Sequence, residues 1–296
     1  MKAFLANKLN CMAIVADGKK IAAEILADLK KRVALLNEQG IEVSLAVVLV
    51  GEDKPSQTYV RNKGKACAEV GINFLLYEFP TTITTEALIG QIQKIQTENK
   101  LSGLIVQLPL PAHIASKKVI NCINPEVDVD CLTFFNLGKL LFNQSTVLPP
   151  TPSAMLEFLK YHQIDWIGKY VVMLGRGELI GKPLSSMLAH EPVTLSICNR
   201  STPDLSVFTK NADIIFTGVG KHNLLTGEMI REGAVVIDAG VCFVDGQMYG
   251  DIEFETVNKK ASLVTPTPGG VGPVTVAKLL ANTVRVAETC SLIKLK

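Results

Sequence analysis

Val171-Val172-Met173-Leu174-Gly175-Arg176-Gly177-Glu178-Leu179-Ile180-Gly181 runs from an apolar, β-branched stretch into three glycines spaced G-x-G-x-x-x-G. A short apolar run bounded by glycine is the pattern of a strand buried on both faces. Glycines straight after such a strand permit a tight turn. They also let backbone N–H groups approach an anion at the N-terminus of the next helix. The stretch therefore reads as strand, phosphate-approaching turn and helix, the opening of a parallel dinucleotide-binding unit. The third glycine stands one residue later than in the common G-x-G-x-x-G spacing, and similar turns occur without a ligand. The flanking sequence has to decide.

Downstream, apolar runs at 194–198, 214–217 and 235–237 predict further short strands at α/β spacing. A Pro/Gly loop at 265–273 precedes a predicted closing helix over 275–289. Upstream, Asp17 to Gln39 reads as a helix, with Ile21, Ile25, Leu29, Val33 and Leu36 on one face and Gly40 as its stop. Strands are expected at 45–50, 73–79 and 103–107, with helices over 57–70 and 84–99 between them. Gly51 to Pro55 reads as a turn, and 124–152, with Pro125, Pro149, Pro150 and Pro152, as irregular. A helix over 153–162 leads back to the quoted strand. Strand and helix alternate twice over, which means parallel sheets. The expected architecture is two three-layer α/β domains, the second a Rossmann-type parallel sheet, with an active-site cleft between them. The expected boundaries are 11–150 for the first domain, 151–274 for the second, and a closing helix 275–296 that rejoins the first.

The second strand of the nucleotide unit ends at Asn199-Arg200-Ser201-Thr202. An NAD site commonly holds Asp or Glu there for the ribose hydroxyls. Here an arginine stands instead, and a guanidinium pairs with a 2′-phosphate that a carboxylate would repel. NADP is therefore expected over NAD, with Arg176 of the glycine loop a further candidate for the same pocket.

Composition excludes several classes. The chain has 296 residues, 48 % hydrophobic and 20 % charged, with a formal net charge of +2. That is too little positive charge for a nucleic-acid or anionic-membrane binder, and no apolar run reaches the roughly 18 residues of a membrane span. The cysteines Cys11, Cys67, Cys122, Cys131, Cys198, Cys242 and Cys290 are scattered, odd in number and without a C-x-x-C pair. Reduced thiols in a cytoplasmic protein are expected, rather than a disulfide framework or zinc site. His113, His162, His190 and His222 are dispersed, so no metal site is expected. The patch around Lys2 and Lys8 is too short for a signal peptide, and Met12 is a second candidate start.

Tyr59 and Lys63 stand four apart in Ser56-Gln57-Thr58-Tyr59-Val60-Arg61-Asn62-Lys63, which puts them on one helix face. Tyr-x-x-x-Lys also marks short-chain dehydrogenases, but there it follows the glycine loop within one domain. Here it precedes that loop by a whole domain. The order fits another family. Over nearly its whole length the chain resembles the bifunctional methylenetetrahydrofolate dehydrogenase/cyclohydrolases. The resemblance lies in Val48-Leu49-Val50-Gly51, the Ser56–Lys63 segment, Val106-Gln107-Leu108-Pro109-Leu110-Pro111 and Asp128-Val129-Asp130. In the second half it lies in Thr151-Pro152, the Gly175 loop, Gly218-Val219-Gly220-Lys221, Val236-Ile237-Asp238 and Pro268-Gly269-Gly270-Val271-Gly272-Pro273.

The resemblance implies NADP-dependent oxidation of methylenetetrahydrofolate and hydrolysis of the methenyl product to formyltetrahydrofolate. It implies a catalytic set of Lys63, Gln107, Tyr59 and Asp130, with Lys63 the central acid or base, and a folate site of Ser56, Tyr59, Asp130, Pro268 and Gly269. The implied NADP site is Thr151, Gly175, Arg176, Gly177, Arg200, Ser201, Gly220 and Val241. A cytoplasmic homodimer serving one-carbon metabolism and purine biosynthesis is implied as well. A dehydrogenase with weak or no cyclohydrolase activity, and a non-catalytic folate- or NADP-binding relative, stay open as alternatives. Intact Lys63, Gln107, Asp130 and Arg200 argue against the last.

The chain departs from the family pattern in places. Cys131 stands where a glycine usually follows Asp-Val-Asp, and Val127 where a lysine usually precedes it. Ser153 and Ala154 replace an expected glycine, Gly177 a serine, and Thr267 a valine. If position 131 needs positive φ, cysteine is strained there.

Overall fold

The computed structural model describes residues 12–294, with side chains through Cys290. Cys11, the expected start of the first domain, and residues 295–296 of the expected closing helix lie outside them.

The described residues form two compact units, each built from two chain segments: 19–154 with 273–294, and 12–18 with 155–272. In chain order, β1 (Ile14–Val15) comes first and belongs to the second unit. The first unit then supplies α1 (Gly18–Glu38), β2 (Ser44–Val50), α2 (Lys54–Val70), β3 (Asn73–Phe79), α3 (Thr85–Glu98) and β4 (Gly103–Val106). Short helices α4 (Ser116–Ile120) and α5 (Phe134–Leu141) follow, and α6 (Pro150–Tyr161) spans the change of unit. The second unit holds β5 (Tyr170–Leu174), α7 (Gly181–Leu188), β6 (Thr194–Cys198), α8 (Ser206–Thr209), β7 (Ile214–Thr217) and β8 (Val235–Asp238). A hairpin of β9 (Cys242–Val244) and β10 (Gln247–Tyr249), then α9 (Phe254–Asn258) and β11 (Leu263–Val264), complete it. Helix α10 (Val271–Lys294) returns the chain to the first unit.

The first unit's sheet is parallel in the order β3-β2-β4, and all seven residues of β2 are buried. Its core joins Leu45, Val47 and Leu49 of β2 to Leu29 and Val33 of α1 and to Leu279, Leu280 and Val284 of α10. Burying one such side chain is worth about 1.5–3 kcal/mol. Helix α2 starts earlier than the sequence suggests. The Asp53 carboxylate accepts from the Ser56 N–H, Pro55 occupies the first turn, and Gly71 ends the helix at φ +86°.

The second unit's sheet is parallel in the order β1-β11-β8-β7-β5-β6. From β5 the chain crosses to β6 on one side and then to β7 on the other. The end of β5 is thus the switch point at which open α/β sheets bind ligands.

Several expectations are corrected. Residues 12–18, expected in the first domain, join the second unit, because β1 pairs with β11 with Ile14 opposite Leu263. The segment 124–152 is not irregular throughout: Thr133 caps α5 by accepting from the Asn136 N–H. Helix α10 opens at Val271, inside the expected loop, with Pro273 in its first turn where a missing N–H costs nothing.

Candidate functional site

Helix α2 presents Tyr59 and, one turn on, Lys63. The Lys63 ammonium donates to Gln107 Oε1 at 3.0 Å. Gln107 follows β4, and its backbone N–H donates to the Val48 carbonyl at 2.8 Å. Its Nε2 donates to the Leu108 carbonyl at 2.7 Å, which fixes the side-chain oxygen toward the lysine. The acceptor is neutral, so it orients the amine without adding a charge that would hold the proton on.

Burial holds Lys63 below the usual lysine range, while the nearby charge of Asp130 works the other way and that of Cys67 adds less. Burial pushes Asp130 above the usual carboxylate range, against the pull of Lys63. Each group is thus moved toward its neutral form. Burial also raises the Tyr59 phenol, so it stays an O–H donor. Cys67 sits four residues after Lys63 with its thiol pushed up to about 12 by burial, and it plays no acid–base part.

The two aspartates of Asp128-Val129-Asp130 have separate jobs. Asp128 accepts from the Thr133 N–H and hydroxyl, the Leu132 N–H and the Asn136 amide, at 2.8–3.2 Å. It is buried and ties down the start of α5. Asp130 is left to face Lys63. The next residue, Cys131, is buried at φ +56°, in the left-handed region that glycine tolerates best. Its thiol packs in the core, 3.9 Å from the Ser145 hydroxyl. Tyr59, Lys63 and Ser56 thus share α2 in the first unit with Gln107 and Asp130, and the buried Ser56 N–H is committed to Asp53. Thr151 also falls in the first unit, where its hydroxyl accepts from Thr275 at 3.5 Å.

The glycine turn lies in the second unit. Gly175 takes φ +104°, and its N–H donates to the Cys198 carbonyl at 2.9 Å, joining the ends of β5 and β6. A Cβ at Gly181 would overlap the Gly175 carbonyl, so the third glycine lets α7 start against the turn. Arg176 and Gly177 are exposed. At the end of β6, the Ser201 N–H donates to Asn199 Oδ1 and the Asn199 N–H to the Thr202 hydroxyl, both at 3.0 Å. This turn leaves Arg200 and Ser201 exposed, with no Asp or Glu among its four residues. A cradle that only glycine fits, beside a free guanidinium and no carboxylate, suits a dinucleotide with a 2′-phosphate. Gly220 adopts φ +78° within reach of the Val241 carbonyl, so these two lie together. Pro268 and Gly269, the latter at φ +99°, belong to the same unit.

Sequence reasoning missed one cluster. Asp251 is fully buried and accepts from the Thr217 hydroxyl and the N–H groups of Val219, Gly220 and Lys221. Asp238 is buried beside it, and burial and the charge of Asp251 push it up to about 7. These partners lie thirty or more residues from Asp251, so no local pattern signals them.

The chain matches two family models. Residues 16–130 match "Tetrahydrofolate dehydrogenase/cyclohydrolase, catalytic domain", and residues 149–291 the NAD(P)-binding domain of the same family. It is 46 % identical over 277 residues to the "Bifunctional protein FolD" of Geobacillus thermodenitrificans, covering 93 % of this chain and 98 % of that one. The structure of the bifunctional FolD enzyme from Campylobacter jejuni superposes with TM-score 0.90 at 41 % identity, over 93 % of this chain and 98 % of that one. The Trypanosoma brucei enzyme, solved with NADP cofactor and an inhibitor, gives 0.91 at 37 % identity, over 95 % and 99 %. The chain belongs to the tetrahydrofolate dehydrogenase/cyclohydrolase family.

Proposed function

We propose that Lys63, oriented by Gln107 and kept short of its ordinary basicity by burial, carries the proton transfers of the hydrolytic reaction of this enzyme. The chain is a bifunctional NADP-dependent enzyme. It oxidises methylenetetrahydrofolate to methenyltetrahydrofolate and hydrolyses that product to formyltetrahydrofolate. The single observation that carries the assignment is the 3.0 Å contact from the Lys63 amine to an uncharged acceptor, in a part-buried setting.

When bound, NADP accepts the hydride that leaves the one-carbon bridge. The glycine turn at 175–181 would hold its pyrophosphate, and Arg200, Ser201 and Arg176 its 2′-phosphate. Thr151, Gly220 and Val241 complete the proposed cofactor set. Oxidation leaves a methenyl cation on the folate, and a lysine that sheds its charge easily avoids repelling it. In hydrolysis, neutral Lys63 takes a proton from the attacking water as oxygen bonds to the methenyl carbon. It returns that proton to the nitrogen that departs as the C–N bond breaks and the ring opens, while the adduct's hydroxyl releases its own proton to solvent and becomes the formyl carbonyl. Asp130 accepts from the pterin's N–H groups, and such donors draw its pKa back down. Tyr59 stacks on the folate's rings with its hydroxyl at the edge. Ser56, Pro268 and Gly269 make up the rest of the folate set.

A homodimer in the cytoplasm, feeding one-carbon units to purine biosynthesis, is the setting the family suggests. Light scattering on the purified protein tests the dimer.

A coupled assay tests the activity. Methylenetetrahydrofolate and NADP are supplied, and reduced cofactor, methenyl and formyl products are followed together. Reduced NADP with formyl product is expected. Methenyl accumulation without hydrolysis would favour a monofunctional dehydrogenase, and tight binding without turnover would end both enzyme readings. Lys63→Ala should lower hydrolysis about 10²–10⁴-fold while NADP still binds. Wild-type hydrolysis by that variant would remove Lys63 from the mechanism.

A further inference from the structure

The residues straight after β7 belong to no helix or strand, yet their backbone is pinned. Asp251 Oδ2 accepts from the Thr217 hydroxyl at 2.6 Å and the Val219 N–H at 2.7 Å. Its Oδ1 accepts from the Gly220 N–H at 2.8 Å and the Lys221 N–H at 2.7 Å. Both oxygens are thus occupied, two groups on each. An amide placed here in either orientation would turn an NH2 group toward a backbone N–H.

The carboxylate is itself held. The Asp251 N–H donates to Asp238 Oδ2 at 2.7 Å, and Asp238 Oδ1 accepts from the Gly240 N–H at 2.8 Å. Glycine is required on both sides: a Cβ at Gly240 would overlap the Asp251 carboxylate, and one at Gly250 would overlap that of Asp238. The pinned loop in turn abuts the glycine turn. A Cβ at Gly175 would meet Val219 Cγ2 at 3.1 Å, and a Cβ at Gly218 would meet Ile180 Cγ2 at 2.9 Å. The path from Asp238 through Asp251 to the switch point is continuous.

We propose that Asp251 is a positioning residue of the cofactor site, its buried carboxylate fixing the backbone of Val219, Gly220 and Lys221 against the glycine turn. It touches no cofactor atom itself and acts through the loop. The proposal rests on assigning the Gly220 loop to the dinucleotide site, and the test separates the two.

Three variants of the full-length enzyme are compared by dehydrogenase kinetics, with NADP and methylenetetrahydrofolate varied in turn. Asp251→Asn should raise KM for NADP about tenfold or more, with kcat at saturating NADP and KM for the folate changed less than about threefold. Thr217→Val keeps the side-chain shape and removes one donor, so it should raise KM for NADP about two- to fivefold. It also decides the matter if Asp251→Asn does not fold. Gly220→Ala places a Cβ on a φ of +78°, within 3.2 Å of the Val241 carbonyl, and should raise KM for NADP whatever Asp251 does.

An unchanged KM for NADP in Gly220→Ala would show that the loop assignment fails. A raised KM there, with Thr217→Val at wild type and any folded Asp251→Asn at wild type, would overturn the role of Asp251 alone. Equal losses in both KM values and kcat for Asp251→Asn would also overturn it, marking a general structural residue.

Discussion

The proposed role of Lys63, to take a proton from water, calls for an amine kept from full solvation, and burial does lower its pKa. Its folded pKa is lowered by burial, so the neutral, basic form fills as pH rises through a value below the ordinary 10.5. Hydrolysis should therefore climb with pH and level off below the ordinary lysine range. The charge of Asp130 raises Lys63, so removing it must lower the amine further. In Asp130→Asn, the rising limb of kcat for methenyl hydrolysis should move to lower pH, and a shift upward would contradict the assignment. Cys131 gives a second test at this scale. Its φ of +56° costs alanine about 1 kcal/mol more than glycine, while both lose the same buried thiol. Cys131→Gly should therefore be more stable than Cys131→Ala by about 1 kcal/mol in urea unfolding. The strain at 131 was readable in advance from the family pattern. Asp251 was not, because its worth lies wholly in contacts with a distant loop.

At the scale of elements, the turn between β5 and α7 depends on one close approach. Gly181→Ala puts a methyl where the Gly175 carbonyl sits, so the turn must open or the helix must retreat. NADP affinity measured by calorimetry should fall at least about tenfold, and wild-type affinity would show that the turn does not set the site. The strands buried along all or nearly all their length were legible because both faces are apolar: β2 and β5 read as unbroken runs. Helix α5 was not. Phe134, Phe135 and Leu141 on it are more than half exposed, so its apolar residues trace no inward stripe. Strand β1 is two residues long and exposed at both. Only its pairing with β11 makes it a strand, and periodicity needs more residues than that. The start of α2 slipped because its cap, Asp53, lies in what reads as a turn, whereas the cap of α3, Thr84, was readable.

For the whole molecule, cofactor binding is linked to stability. A ligand that binds only the folded chain at a hundred times its Kd adds about 2.7 kcal/mol. NADP should raise the thermal midpoint more than an equal concentration of NAD, since Arg200 is exposed with no carboxylate in its turn. Arg200→Ala should erase that difference, and a difference that survives would place the 2′-phosphate elsewhere. The parallel sheets and the nucleotide loop were legible at this scale. The division of segments between units was not, since it is set by pairing and packing between residues far apart in the chain. That division has a consequence for birth on the ribosome. The strands of the β3-β2-β4 sheet are translated by residue 106, yet Leu279, Leu280 and Val284 of its core follow only well over a hundred residues later. The nucleotide unit, whose two segments lie on either side of 19–154, has all its described residues by 272. The unit whose main segment is made second is thus the first that can be finished, and the unit that carries Lys63 waits for residues beyond 272.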